Sequence, residues 1–237
     1  PGMNTHRTAF GARNYEYFSE DGVLAGNMGA NAVEGARKYG VYSYIKHFAL
    51  YEGNAKMVSV WSNEQAIREI YLKPFEICVK EGKAKAVMSS FNYIGTRWAG
   101  GSEELCNTVL RDEWGFQGFV LTDYFGVYGY MNSDQGIRNG TDAMLVAYDT
   151  ETNHVKDQKS ATGVEAMRQA CKNIMYTVVN SRAYDAENLE TGLMTWQIAA
   201  IAADVVLGVG ILALEIVAIK RFRKRLAEEK AAVAVEN

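Results

Sequence analysis

The chain has 237 residues, 48% of them hydrophobic and 22% charged, the profile of a folded protein with at least one sizeable core rather than of a disordered tail. A formal net charge of −3 provides no general basic field, which excludes nucleic acid as a default partner. The three cysteines, Cys78, Cys106 and Cys171, stand far apart and outside any C-x-x-C pattern, so no zinc site, no disulfide scaffold and no cofactor is expected, and the thiols read as packed inside helices.

The sequence opens with "PGMNTHRTAF", with neither an initiator Met nor a charged-then-apolar leader, and reads as a piece cut from something longer. Four short apolar runs of strand length follow: "VYSYIKHF" (41–48), "KAVMSSF" (85–91), "GFVLTDY" (118–124) and "DAMLV" (142–146); a fifth can be read at residues 1–4. Helices fill the gaps. One covers residues 63–81, with Ser62 and Gln65 as a capping box, Ile67, Ile70, Tyr71, Phe75 and Ile77 near helical spacing, and a kink expected at Pro74. Ser102 can cap a second helix that ends near Gly115, and a third runs from about Thr162 to Ser181. Strands separated by helices imply parallel pairing through right-handed crossovers, hence an α/β sheet or barrel.

After a polar linker, set at residues 184–194, comes "TWQIAAIAADVVLGVGILALEIVAI" (195–219), about 25 mostly apolar residues, enough to cross a hydrocarbon core of about 30 Å. "KRFRKR" (220–225) follows at once. By the positive-inside rule the tail, residues 220–237, is cytoplasmic and everything before Trp196 is extracytoplasmic, with Trp196 in the aromatic belt. Asp204 and Glu215 within the span are expensive, and being eleven apart they share a face that could meet a partner helix or a watery groove.

In parallel α/β folds the site lies at the carboxyl edge of the strands. The residues where the apolar runs give out are Lys46 and His47, Phe91 and Asn92, and Asp123 and Tyr124. A cation, an imidazole, an amide and a carboxylate therefore recur at corresponding positions.

At these residues the chain resembles the family 3 glycoside hydrolases, retaining β-glucosidases and β-xylosidases. The matching pieces are "ARNYEYFSED" (12–21), "YIKHFAL" (44–50), "AVMSSFNYIG" (86–95), "LRDEWGFQGFVLTDYFG" (110–126) and "DQGIRNGTDAML" (134–145), in the family's order. The resemblance implies a partial (β/α)8 barrel over residues 1–183, with Asp123 as the nucleophile that attacks the anomeric carbon. It implies that Arg13, Lys46 and His47 bind sugar hydroxyls, and that Tyr124 and Phe91, the latter at a position where the family often has Tyr, face the sugar ring. The reaction implied is exo-acting, retaining removal of terminal β-D-glucosyl or related residues. Many members carry the acid/base Glu on a separate sandwich domain, which this chain lacks, and "ALYEGNAKMVSVW" (49–61) lacks the histidine of the subfamily that uses a His-Asp pair. The acid/base is therefore expected upstream of Pro1 in a reversed domain order, with Glu52 the nearest local candidate. The expected partners are an oligosaccharide or glycoside, the missing upstream domain and the membrane. A second reading is a membrane-anchored carbohydrate-binding or sensor protein that kept the fold and lost catalysis. A third is a membrane-assembly module built around Asp204 and Glu215.

Overall fold

The computed structural model describes residues 1–53, 58–125, 130–146, 154–184 and 192–235, the last ten of these in backbone only. Its seven described strands are β1 (Tyr44–Phe48), β2 (Ser59–Val60), β3 (Ala86–Ser89), β4 (Tyr93–Ile94), β5 (Arg97–Trp98), β6 (Phe119–Tyr124) and β7 (Ala143–Leu145). The four expected runs pair in the order β1-β3-β6-β7, all parallel, as β-branched and aromatic strands joined by helical crossovers must. The N-terminal segment extends this sheet beside β1: Lys46 donates its N–H to the Pro1 carbonyl and accepts from Met3 N–H, and Gly2 bridges both Lys46 and Tyr17. Strand β2 pairs parallel with β4, and β4 antiparallel with β5, in a small second sheet that the apolar pattern does not reveal.

Register fixes the two faces. Ile45, Val87 and Val120 align across three strands, are fully buried and pack with Phe75, Cys78 and Leu110 from the helical layer. By the alternation of a strand, Tyr44, Lys46, Met88, Phe119 and Leu121 face the other way, and all five are only half-buried. A closed barrel has eight strands, and this inner face is the one its interior would cover.

Helix α1 (Gly22–Arg37) lies before β1, in a stretch where no helix is singled out in the sequence. Asp21 caps it by accepting from Val23 N–H and Leu24 N–H, both at 2.8 Å. The glycines are there for proximity: a Cβ on Gly29 would sit 2.3 Å from Met3 Cε, and one on Gly26 would sit 2.7 Å from Ile77 Cδ1. The helix expected over residues 63–81 is instead α2 (Glu64–Ala66), a π-helical turn (Ile67–Tyr71) and, after a break at Leu72, α3 (Lys73–Lys80) with Pro74 in its first turn. The expected capping box is corrected. The cap is Asn63, whose Oδ1 accepts from Ala66 N–H at 2.8 Å, while Gln65 turns to Glu69.

Ser102 Oγ accepts from Leu105 N–H ahead of a π-helical segment (Glu104–Glu113), which ends at Gly115 with φ +70°. A short α4 (Ser133–Arg138) follows, and α5 (Ala161–Val179) is capped by Ser160. Cys78 and Cys106 are buried as expected, but Cys171 is exposed, because it lies on the outward face of α5 near exposed Met175 and Val179.

The chain divides into two units, Pro1–Asn188 and Leu189–Asn237. The second holds α6 (Thr195–Val235), whose stretch Thr195–Arg225 includes an 18-residue window of mean hydropathy 2.3 and is long and apolar enough to cross a membrane. Most of the proposed linker lies outside the described residues.

Candidate active site

Asp123 stands near the carboxyl end of β6 on the same face as Leu121, and its Oδ1 accepts from Tyr124 N–H at 2.7 Å. From the neighbouring part of the sheet, His47 Nε2 comes to 3.6 Å from Asp123 Oδ2, both side chains being almost fully buried. Burial, reinforced by the Arg13 and Lys46 charges, pushes the His47 pKa down to about 2, so the ring is neutral and the contact is not an ion pair. Since a carboxylate only accepts, the tautomer that suits this contact carries its hydrogen on Nε2.

The position of His47 is set by Asn4. The Asn4 side chain accepts from His47 N–H at 2.8 Å and donates to the His47 carbonyl at 3.0 Å, gripping both ends of that residue's backbone from the N-terminal segment. Asn4 is fully buried.

Arg13 and Lys46 are brought together by Glu16. Arg13 Nε donates to Glu16 Oε1, and Lys46 Nζ lies 2.9 Å from Glu16 Oε2. Arg13 ends the loop before a 3-10 turn (Asn14–Glu16), and its guanidinium lies 5.8 Å from the centre of the Tyr51 ring. The Arg13 pKa is raised: burial would lower it, but the Glu16 hydrogen bond and the charges of Glu16 and Asp123 prevail.

Aromatic side chains form the floor. Tyr51 meets His47 edge-on at 5.2 Å and Phe91 at 6.0 Å, and belongs to a buried cluster with Phe91, Trp98, Phe125 and Met131. Tyr124 packs against this cluster, half-buried, beside the carboxylate. Phe91 is buried, and its carbonyl accepts from Tyr130 O–H at 2.7 Å.

Of the residues singled out in the sequence, Arg13, Lys46, His47, Asp123 and Tyr124 thus converge, and Phe91 lies one ring behind Tyr51. Asn92, the remaining strand-end residue, donates to the Ala49 carbonyl and holds the loop after β1. Glu52 points elsewhere. It accepts from Thr5 N–H at 3.2 Å, and burial raises its pKa to about 7 against the pull of that bond. It lines a separate cavity of about 330 Å³ with Arg7, Trp61 and Tyr71, a cavity whose walls do not include Asp123. Sequence reasoning missed Glu16, Asn4 and Tyr51. For Glu16 a signal existed, the acid three residues after Arg13 in "ARNYE".

Residues 4–178 match the family model described as Glycosyl hydrolase family 3 N terminal domain. A β-glucosidase of Ruminococcus albus is 45% identical over 127 residues, covering 53% of this chain and 13% of that protein. Beta-glucosidase A of Butyrivibrio fibrisolvens is 39% identical over 165 residues, covering 66% of this chain and 20% of that protein. This chain thus spans a fifth or less of the length of those two relatives. Among solved structures, a β-glucosidase of Paenibacillus barengoltzii superposes with a TM-score of 0.70 at 32% identity, over 81% of this chain and 23% of that one. A β-glucosidase of Kluyveromyces marxianus in complex with glucose superposes with a TM-score of 0.68 at 28% identity, over 81% of this chain and 24% of that one.

Proposed function

The chain belongs to glycosyl hydrolase family 3, and from that premise we propose that it carries the nucleophile half of a retaining, exo-acting β-glycosidase whose sugar is glucose or a close relative. The observation that carries this reading is the meeting of Asp123 with a neutral His47 at the carboxyl edge of a parallel sheet, next to two cations held by a third group. An Asp123 oxygen attacks the anomeric carbon as the bond to the leaving oxygen breaks, and that oxygen takes a proton from a general acid. Water then attacks the same carbon, gives its proton to the same group and releases the Asp123 carboxylate. The neutral His47 keeps its one N–H toward the Asp123 carboxylate without competing for the acid's proton, Arg13 and Lys46 donate charge-assisted bonds to hydroxyls, and Tyr124 offers its ring to the C–H face of the sugar.

The general acid, in this proposal, belongs to a sandwich domain of the same protein that precedes Pro1, because Glu52 lines a cavity away from Asp123. The apolar helix that follows the linker is proposed as a membrane anchor, with "KRFRKR" cytoplasmic and the catalytic part outside. A reporter fused after Asn237 that is active only on the outer side would refute this orientation. The catalytic reading is tested with a 2-deoxy-2-fluoro-β-glucoside bearing an activated leaving group, which slows the second step and traps the glycosyl-enzyme. Peptide mass analysis should find the sugar on Asp123; a trapped sugar on another residue, or turnover without trapping, would refute it.

A further inference from the structure

Glu16 forms and breaks no bond in the scheme above, yet it touches both sugar-facing cations. One carboxylate oxygen takes Arg13 Nε and the other takes Lys46 Nζ at 2.9 Å, with the Glu16 side chain only 16% exposed. Burial pushes its pKa up, but the hydrogen bonds and charges of Lys46 and Arg13 outweigh this and hold it below the ordinary carboxylate value, so it is ionised at any working pH.

Two cations on neighbouring elements would otherwise repel and spread. With one oxygen on each, the carboxylate cancels that repulsion and fixes two long side chains before any sugar arrives, so that the loss of rotamer freedom is not charged against binding. The arrangement also leaves donors to spare. Among the described residues, the Arg13 η nitrogens have no hydrogen-bond partner, and Lys46 uses one of its three N–H groups on Glu16. The Tyr51 ring backs the guanidinium and limits its swing.

We propose that Glu16 is a positioning residue that sets sugar selectivity: it locks Arg13 and Lys46 into one two-cation clamp whose remaining donors recognise a pair of neighbouring hydroxyls on the sugar at Asp123. This rests on the glycosidase reading and deepens it. The test compares wild type, Glu16→Gln and Glu16→Asp in the protein at its natural length, measuring kcat/KM on an aryl β-glucoside and on each of its monodeoxy analogues. For the parent glucoside, Glu16→Gln should lower kcat/KM about 10- to 100-fold, the scale of charge-assisted hydrogen bonds set out of place. On the two analogues that lack one or other recognised hydroxyl, the same variant should lose clearly less, since the bond it disturbs is already missing. Glu16→Asp, which keeps the charge but is one methylene short, should show the same analogue pattern with a smaller loss, and it carries the test if the Gln variant does not fold. Equal losses on the parent and every analogue, or no loss at all, overturn the clamp while leaving the glycosidase reading intact. A wild type without hydrolysis of any of these substrates overturns that reading, and the clamp with it.

Discussion

Two aspartates anchor opposite ends of β6, and their surroundings differ in kind. At the amino end, Asp142 is closed off: Oδ2 accepts from Arg111 Nη2 at 2.7 Å and from Val120 N–H at 2.7 Å, while Oδ1 accepts from Asn173 at 2.8 Å. Arg111 is tied in turn to the carbonyls of Gly118 and Gly140. At the carboxyl end, Asp123 faces a neutral imidazole at 3.6 Å, and Arg13 and Lys46 nearby are both held by Glu16. Asp142, ringed by its own cation, holds helix and strand in register, whereas Asp123 is the carboxylate proposed above to attack carbon. The two ends of β6 thus meet different acids, a structural one from the start of β7 at the amino end and its own Asp123, the proposed nucleophile, at the carboxyl end.

Exchanging the two roles by mutation gives the largest effects. Asp123→Asn should lower kcat at least about 10³-fold, as loss of a nucleophile does, with the melting temperature moving by no more than about 2 °C. The check is turnover of an aryl β-glucoside beside thermal unfolding of the same preparation; turnover within tenfold of wild type would end the assignment. Arg111→Ala should do the reverse, costing about 3–5 kcal/mol of stability by leaving Asp142 buried without its cation, while kcat per folded molecule is kept. Urea unfolding measures it, and a loss under about 1 kcal/mol would mean that the two ends of β6 are not so different.

Glu52 sharpens the contrast through pH. Its folded pKa, raised by burial to about 7, lies above its ordinary value of 4.5. The folded state therefore holds a proton that the unfolded chain releases, so the contribution is fully present below the unfolded value and is lost as pH rises through about 7. Glu52→Gln should leave stability nearly unchanged at pH 4 and raise it above pH 7, by up to roughly 3 kcal/mol from the size of the shift. Equal gains at both pH values would show that the carboxyl is not desolvated in this way.

Much of this was legible in the sequence because the parallel strands are short apolar runs that stop at polar residues. Lys46, His47 and Asp123 stand out as polar residues at strand ends, the family resemblance adds Arg13, and the fold brings these positions together. What stayed hidden depends on contacts between elements. Helix α1, not singled out in the sequence, is placed by the close fit of Met3 and Ile77 against Gly29 and Gly26. Glu16 is an ordinary acid until the sheet brings Lys46 to it, and Asn4 is an ordinary amide until the first segment lies beside β1 and grips His47. Exposure of Cys171 was missed for the same reason, since which face of α5 looks outward is decided by what packs on the other side.

The smallest effect tests a choice between adjacent residues on which sequence pattern and geometry disagree. "SNEQ" reads as a capping box from Ser62 to Gln65, which would use the serine hydroxyl on Gln65 N–H and the Gln65 side chain on the serine N–H. In the structure Asn63 Oδ1 takes the Ala66 N–H at 2.8 Å, and the Gln65 amide turns to Glu69 at 3.3 Å, so neither half of the box is made. The asparagine wins because its extended backbone at φ −79°, ψ 160° puts Oδ1 in line with a free N–H of the first turn. Asn63→Ala should cost about 1 kcal/mol, the usual worth of such a cap, and Ser62→Ala less than about 0.5 kcal/mol, as at an exposed position without a role. Because Ile67 and Tyr71 of the next turn pack on the main core, the loss should appear in global urea unfolding rather than as local fraying alone. If Ser62→Ala proves the more costly of the two, the helix begins one residue earlier, and the capping box read from the sequence is the true start.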